Sequence, residues 1–98
     1  MSKSIMQEDR TCCYLCKRNG SSDPLEEHHI FGGANRKLSE RDGLKVCLCG
    51  SRCHRNGIGA VHKNKQASDR LKAEAQKAWE ERYGTREQFV KRYGRNYL

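Results

Sequence analysis

The sequence predicts a small α+β domain, with two short strands in the first half and helices in the second. Three observations carry this. Short apolar runs at 25–31 and 44–48 are separated by a polar segment, two cysteine groups bracket those runs, and apolar residues recur every three or four positions from Leu71 to Tyr83.

Size sets the first constraint. A chain of 98 residues makes one domain at most, and a domain of this size buries only about two-thirds of its unfolded surface. Only 35% of the residues are hydrophobic and the mean hydropathy is −1.03, so the core is thin. Small domains of this kind are commonly stapled by a metal or by disulfides. The first ten residues lack an apolar signal region, and no stretch approaches the ~18 apolar residues of a membrane span. A cytoplasmic location with no membrane partner is therefore expected, and in a reducing compartment paired cysteines favour metal over disulfides.

Taken in order, residues 1–11 are polar and unpatterned and read as a flexible arm, with 12–98 as a single domain. Cys13 and Cys16 then stand two residues apart with Gly20 close behind, the spacing of a metal-binding knuckle. Cys49 and Cys53 supply a second pair, and together the four make a tetrahedral thiolate set suited to structural Zn2+. Cys12 is a substitute ligand for Cys13, and Cys47 reads as a small buried thiol.

Ser21 to Pro24 is a turn cluster, after which Leu25 to Phe31 reads as a first strand ended by Gly32-Gly33. Residues 34–43 are polar and should loop out before Leu44 to Leu48 returns as an antiparallel second strand. Residues 51–59 carry Gly57 and Gly59 and should not form a good helix. From about residue 60 the pattern turns helical, and Leu71, Ala75, Ala78, Trp79 and Tyr83 form an amphipathic stripe that stops at Gly84. Thr85 to Gln88 has capping-box spacing, so Phe89, Val90 and Tyr93 should line a short last helix ending at Gly94. The periodic spacing of Trp79, Tyr83, Phe89 and Tyr93 favours packing over base stacking.

Charge is unevenly spread. Lys+Arg against Asp+Glu is 8 to 7 over residues 1–51 and 12 to 5 over 52–98. A one-sided basic surface suggests a polyanion such as nucleic-acid phosphate. Candidate phosphate contacts are Arg36, Lys37, Arg55, Lys63, Lys65 and Arg70, with Lys72 and Lys77 on the same long helix.

All four histidines, His28, His29, His54 and His62, fall within 35 residues, in the region of the cysteine pairs. His28 and His29 are adjacent in a strand and so point to opposite faces, leaving one able to bind a metal while the other stays free. The ordered set Glu27-His28-His29-Ile30, Gly32-Gly33, Leu44 to Cys49 and Cys53-His54 resembles the HNH endonuclease family, with its ββα-metal fold and four-cysteine zinc knuckle. His28 to Glu40, Val61-His62 and the closing Gly94 to Leu98 resemble the small HNH proteins of bacteriophages and prophages.

That resemblance implies a metal-dependent endonuclease that hydrolyses phosphodiesters in DNA. His29 matches the family's general base, His28 its metal-ligand position and His54 its third motif residue, with His62 a further ligand. The catalytic divalent cation would be Mg2+ or Mn2+ by family habit, and imidazole ligands also accept Zn2+ or Ni2+. The implied partners are DNA, with weak base specificity, and phage packaging or recombination proteins. The family's middle Asn would fall near Asp42 or Gly43, and neither is Asn, so Asn35 or Asp42 is expected to fix the intervening loop instead. His54 and His62 are eight apart rather than four as in the nuclease colicins. The alternative is a non-catalytic, zinc-stapled nucleic-acid-binding module, accessory to a phage complex. In it Cys49, Cys53, His54 and His62 would hold one zinc, and Cys13 and Cys16 with His28 or His29 another.

Overall fold

The computed structural model describes residues 4–98. Two strands, β1 (Leu25–His29) and β2 (Lys45–Cys49), pair antiparallel in a two-stranded sheet, with Leu25 opposite Cys49, His28 opposite Val46 and His29 opposite Lys45. Three α-helices accompany them: α1 (Arg36–Asp42) between the strands, then α2 (Lys65–Arg82) and α3 (Arg86–Tyr93). The expected α+β class is what the chain adopts. No helix among the described residues is long and apolar enough to cross a membrane.

The segment between the strands differs from expectation. Instead of looping out, residues 33–35 make a 3-10 turn that leads directly into α1. Arg36 to Asp42 consists largely of adequate helix formers, and Gly43 stops the helix in the left-handed region at φ 76°. Leu38 is the one apolar side chain this short helix packs against the core, and the residues it buries, Ser39 and Asp42, are polar. The helix therefore shows no apolar stripe by which its sequence could announce it.

One side chain staples α1 to both strands. The Ser39 hydroxyl, fully buried, accepts from the Phe31 amide at 3.3 Å and donates to the Leu44 carbonyl, while the Ile30 amide donates to the same carbonyl at 3.0 Å. The helix is thus fixed where β1 ends and β2 begins.

Residues 4–7 also depart from the expected flexible arm, and residues 1–3 lie outside the described residues. The Ile5 amide donates to the Gly43 carbonyl at 2.9 Å, and buried Gln7 accepts from the Cys47 amide at 2.8 Å while donating to the Cys12 carbonyl. This stretch lies along β2 because a strand edge offers unpaired amide and carbonyl groups.

The long helix starts at Lys65 rather than near residue 60. Asn64 caps it, its side chain accepting from the Ala67 amide at 3.0 Å, and the chain before it is turned. Residues 50–55, expected to be irregular, form a single wide π-helical turn. The last helix matches expectation: Thr85 and Gln88 close a capping box, and Gly94 ends the helix at φ 86°.

The core lies where Phe31, at the end of β1, meets α2 and α3. Phe31, Phe89 and Tyr93 pack with centroids 4.7–5.9 Å apart, and Trp79 lies 5.5 Å from Phe89. Such pairs contribute about 1 kcal/mol each beyond the area they bury. Tyr83, assigned to the same stripe, is half exposed, although its hydroxyl donates to the Asp42 carbonyl at 3.0 Å.

Asp42 is the polar node of this core. Its carboxylate accepts from Trp79 Nε1, the Tyr93 hydroxyl and the Arg92 guanidinium at 2.7–3.0 Å, and it is only 8% exposed. Asn35 adds a bond from Nδ2 to the Tyr93 carbonyl at 3.1 Å. The two residues expected to anchor the interstrand segment therefore do so, by tying it to α2 and α3. Burial works to raise the Asp42 pKa, but the bonds from Arg92, Tyr93 and Trp79 outweigh it and hold the group below the ordinary carboxylate value.

A carboxyl whose folded pKa lies below its unfolded pKa stabilises fully above the unfolded value and loses that contribution as pH falls through the folded one. Asp42→Ala is expected to cost about 3 kcal/mol at neutral pH, since it orphans a partly buried guanidinium and two buried donors. Urea titrations of the variant and the parent should converge as the pH drops below the ordinary carboxylate range.

Candidate metal centres

Among the described residues three groups of side chains could hold a metal: a sulfur cluster, a nitrogen cluster, and a mixed group of His29 with Glu27 and Glu40. The sulfur cluster joins Cys13, Cys16, Cys49 and Cys53, whose Sγ atoms all lie within 4.8 Å of one another, with Cys16 and Cys49 at 3.4 Å. Tetrahedral zinc thiolates have S···S separations of about 3.8 Å, given Zn–S bonds of about 2.3 Å. All six cysteines are unbridged. The four could hold a zinc ion.

Local backbone geometry explains the convergence. The first pair sits on a tight knuckle in which the Cys13 amide donates to the Arg18 carbonyl at 2.7 Å and the Lys17 amide to the Cys13 carbonyl at 2.9 Å, with Lys17 in the left-handed region at φ 66°. The Tyr14 amide donates to the Cys47 carbonyl at 2.8 Å, which ties that knuckle to β2. Cys49 ends β2 and Cys53 follows on the π-helical turn. Asp23 caps that turn by accepting from the Ser51 and Arg52 amides at 2.9 and 2.8 Å.

The electrostatics of the cluster suit a cation. Burial pushes the Cys13 thiol up, yet the backbone amides of Cys16, Cys49 and Leu15 outweigh it and bring the group down to about 7. Burial and the neighbouring sulfurs push Cys49 up to about 12 and Cys53 upward as well. One thiolate forms readily and each further one is opposed by it. A dication at the centre removes that opposition, as zinc does when it binds deprotonated thiols.

The nitrogen cluster joins His28, His54 and His62. Their ring centroids lie 4.6–5.4 Å apart, one nitrogen of each falls within 4.8 Å of the others, and His28 Nδ1 faces His54 Nε2 at 3.2 Å. Imidazoles sharing a tetrahedral ion have nitrogens about 3.4 Å apart. The eight-residue gap between His54 and His62 is closed because the chain doubles back, the Val61 amide donating to the Cys53 carbonyl at 2.9 Å and the His62 amide to the His54 carbonyl at 3.1 Å. Gly57 makes this possible: a Cβ there would lie 2.0 Å from the Arg52 carbonyl oxygen. Gly57, one of the glycines that obscured the spacing in the sequence, is what lets the ligands come together.

Burial, with the neighbouring His54 and His62 rings adding to it, pushes His28 down to about 4, and burial lowers His62 too. Both shifts favour the neutral ring, the form that offers a lone pair to a metal. His54 is oriented from behind: its Nδ1 lies 2.9 Å from Glu26 Oε1, which leaves Nε2 to face His28. Glu26 also pairs with Arg55, and bonds from His54 and then Arg55 hold its carboxyl below the ordinary value. The three imidazoles could hold a metal ion.

Compared with known proteins, the chain matches no family model, no curated protein and no solved structure.

His29 takes no part in the nitrogen cluster. As strand alternation requires, it leaves β1 on the face opposite His28, where Nε2 lies 2.8 Å from Glu40 Oε1 and 3.7 Å from Glu27 Oε1. Lys45, 2% exposed, pairs with Glu40 at 2.8 Å and Glu27 at 3.5 Å, and Arg10 also pairs with Glu27. The mixed cysteine and histidine sets allowed by the sequence are not the ones formed, since among the described residues the sulfurs gather apart from the imidazoles.

Of the basic candidates, Arg36, Lys37 and Lys63 are exposed, Lys65 and Arg70 are exposed but pair with Asp69 and Glu74, and Arg55 pairs with Glu26. Sequence reasoning missed Glu26, Asp23, Glu40 and Lys45. Only Glu26 carried a signal, standing two residues before His28 and hence on its strand face.

Zinc analysis of the purified protein should find one ion held at the cysteines. Cys16→Ser is expected to lose both that ion and the cooperative thermal transition, because metal and fold are linked in domains this small. Gly57→Ala should keep the cysteine-bound ion yet weaken Ni2+ binding at the imidazoles about 10-fold or more, as read by calorimetry.

Proposed function

We propose that the protein is a metal-dependent DNA endonuclease of HNH type. The observation that carries this reading is the division of the adjacent histidines: His28 joins His54 and His62 in a trio, and His29 stands outside it, held by a carboxylate. An additional zinc staple would use only the trio and would not call on the basic nitrogen of His29.

His28, His54 and His62 would hold the divalent cation, which when bound supplies positive charge against the phosphate and its leaving oxygen. Three nitrogens without a carboxylate suit Zn2+ or Ni2+ better than the Mg2+ or Mn2+ of family habit, because hard cations prefer oxygen ligands. His29 takes a proton from water. The water oxygen forms the new bond to phosphorus, the bond to the 3′ oxygen breaks, and the products are a 5′ phosphate and a 3′ hydroxyl.

Because the two rings leave β1 on opposite faces, a phosphodiester reaching both must lie across the edge of β1 at its His29 end. Among the described residues β1 pairs only with β2, and no third strand takes its other edge. Exposed Arg36, Lys37 and Lys63 suit phosphates flanking such a path. Contacts of this kind read backbone rather than bases, so weak sequence preference follows.

Relaxation of supercoiled plasmid provides the test. The parent should nick DNA with Zn2+, Ni2+ or Mn2+, and His29→Ala should slow nicking about 100-fold or more while leaving the fold and salt-sensitive DNA binding unchanged. Nicking by His29→Ala at the parental rate would remove His29 from the chemistry. A parent that binds DNA and cuts it with none of these cations would be a zinc-stapled binding module instead.

A further inference from the structure

We infer that Glu40, held by Lys45, is a positioning residue that fixes the proton of His29 on Nε2 and leaves Nδ1 as the basic atom. This rests on the nuclease reading for its catalytic meaning, although the placement of the proton can be tested without any reaction.

The geometry is direct. Glu40 Oε1 lies 2.8 Å from His29 Nε2, and the same carboxylate accepts two bonds from Lys45 Nζ, at 2.9 Å to Oε1 and 2.8 Å to Oε2. A carboxylate so engaged by an ammonium is ionised and has only acceptors to offer. A ring nitrogen bonded to it must therefore carry the hydrogen, so whenever the imidazole holds a single N–H the geometry places it on Nε2. Nδ1 is left with the lone pair, which is the atom a general base needs. Glu27, at 3.7 Å from the same nitrogen, adds negative charge on that side without competing for Nδ1.

The carboxylate is also firmly placed. Glu40 lies between two anchors on α1: Ser39, which bridges the ends of both strands, and Asp42, which ties the helix to Trp79, Arg92 and Tyr93. Lys45 stands opposite His29 in the strand register and is almost fully buried, so the ammonium that holds Glu40 is delivered by the pairing that also places His29. A helix where the sequence suggested an open loop thus supplies the imidazole with an acid partner.

The experiment combines nitrogen NMR of the zinc-loaded protein with kinetics. In the spectrum of the singly protonated ring, reached by raising the pH until the histidine nitrogen shifts stop moving, the parent should show His29 with its proton on Nε2. Glu40→Gln keeps an acceptor and should keep that form. Glu40→Ala should give a mixture of the two tautomers. In plasmid nicking, Glu40→Ala should lower kcat about 10- to 100-fold with KM within about twofold, and Glu40→Gln should recover most of the loss. Should Glu40→Ala unfold, the Glu40→Gln protein and the parental tautomer still decide the matter. A parental His29 protonated on Nδ1, or a tautomer unaffected in folded Glu40→Ala, overturns the inference. Unchanged kcat in that variant, with the parent active, overturns its catalytic part alone. A parent with the Nε2 proton and no nicking sinks the nuclease reading and leaves the positioning intact.

Discussion

The antiparallel pairing of Leu25–His29 with Lys45–Cys49 is the constraint from which both halves of the site follow. Side chains alternate along a strand, so fixing the register fixes which neighbour each of two consecutive histidines meets. With His28 opposite Val46 and His29 opposite Lys45, one ring is delivered to two other imidazoles and the other to a pair of carboxylates and a buried ammonium. A slip of one residue would exchange these environments. The sulfur cluster works to the same end, because Cys49 terminates the second strand and ties its end to the N-terminal knuckle. So does Ser39, which locks the other end of the sheet to α1.

A chain with so little apolar surface could not hold this register by burial alone. Its core is a group of aromatic rings around Phe31, with one charged node at Asp42 set among them. Charge inside a small core is costly unless every bond is satisfied. Here three donors converge on the carboxylate, and the result joins α1, α2 and α3 through one side chain. The interior is therefore specified by polar geometry as much as by packing.

Much of this was legible in the sequence. The strands, the cysteine set, the divergence of His28 and His29, and the capped final helix all rest on short-range rules of spacing and alternation, which a sequence displays directly. The helix at Arg36–Asp42 was not legible, because a seven-residue helix that buries mainly Ser39 and Asp42 has no apolar period to read. The meeting of His54 with His62 was hidden for a different reason. It depends on a reversal at Gly57 whose steric demand comes from a carbonyl five residues earlier, a fact of three-dimensional approach rather than of pattern. Glu40 reaches His29 only because that unannounced helix exists.

The doubled-back loop has one more consequence. Its two arms are already joined by amide-to-carbonyl bonds at Cys53–Val61 and His54–His62, so the imidazoles are gathered before any ion arrives and little chain entropy is lost on capture. The apex beyond those bonds carries Ile58, 97% exposed, with open space around Gly59. Extra residues spliced in at that apex should leave the bonds below it, and so the imidazoles, in place, which makes the apex a spot where this loop tolerates growth.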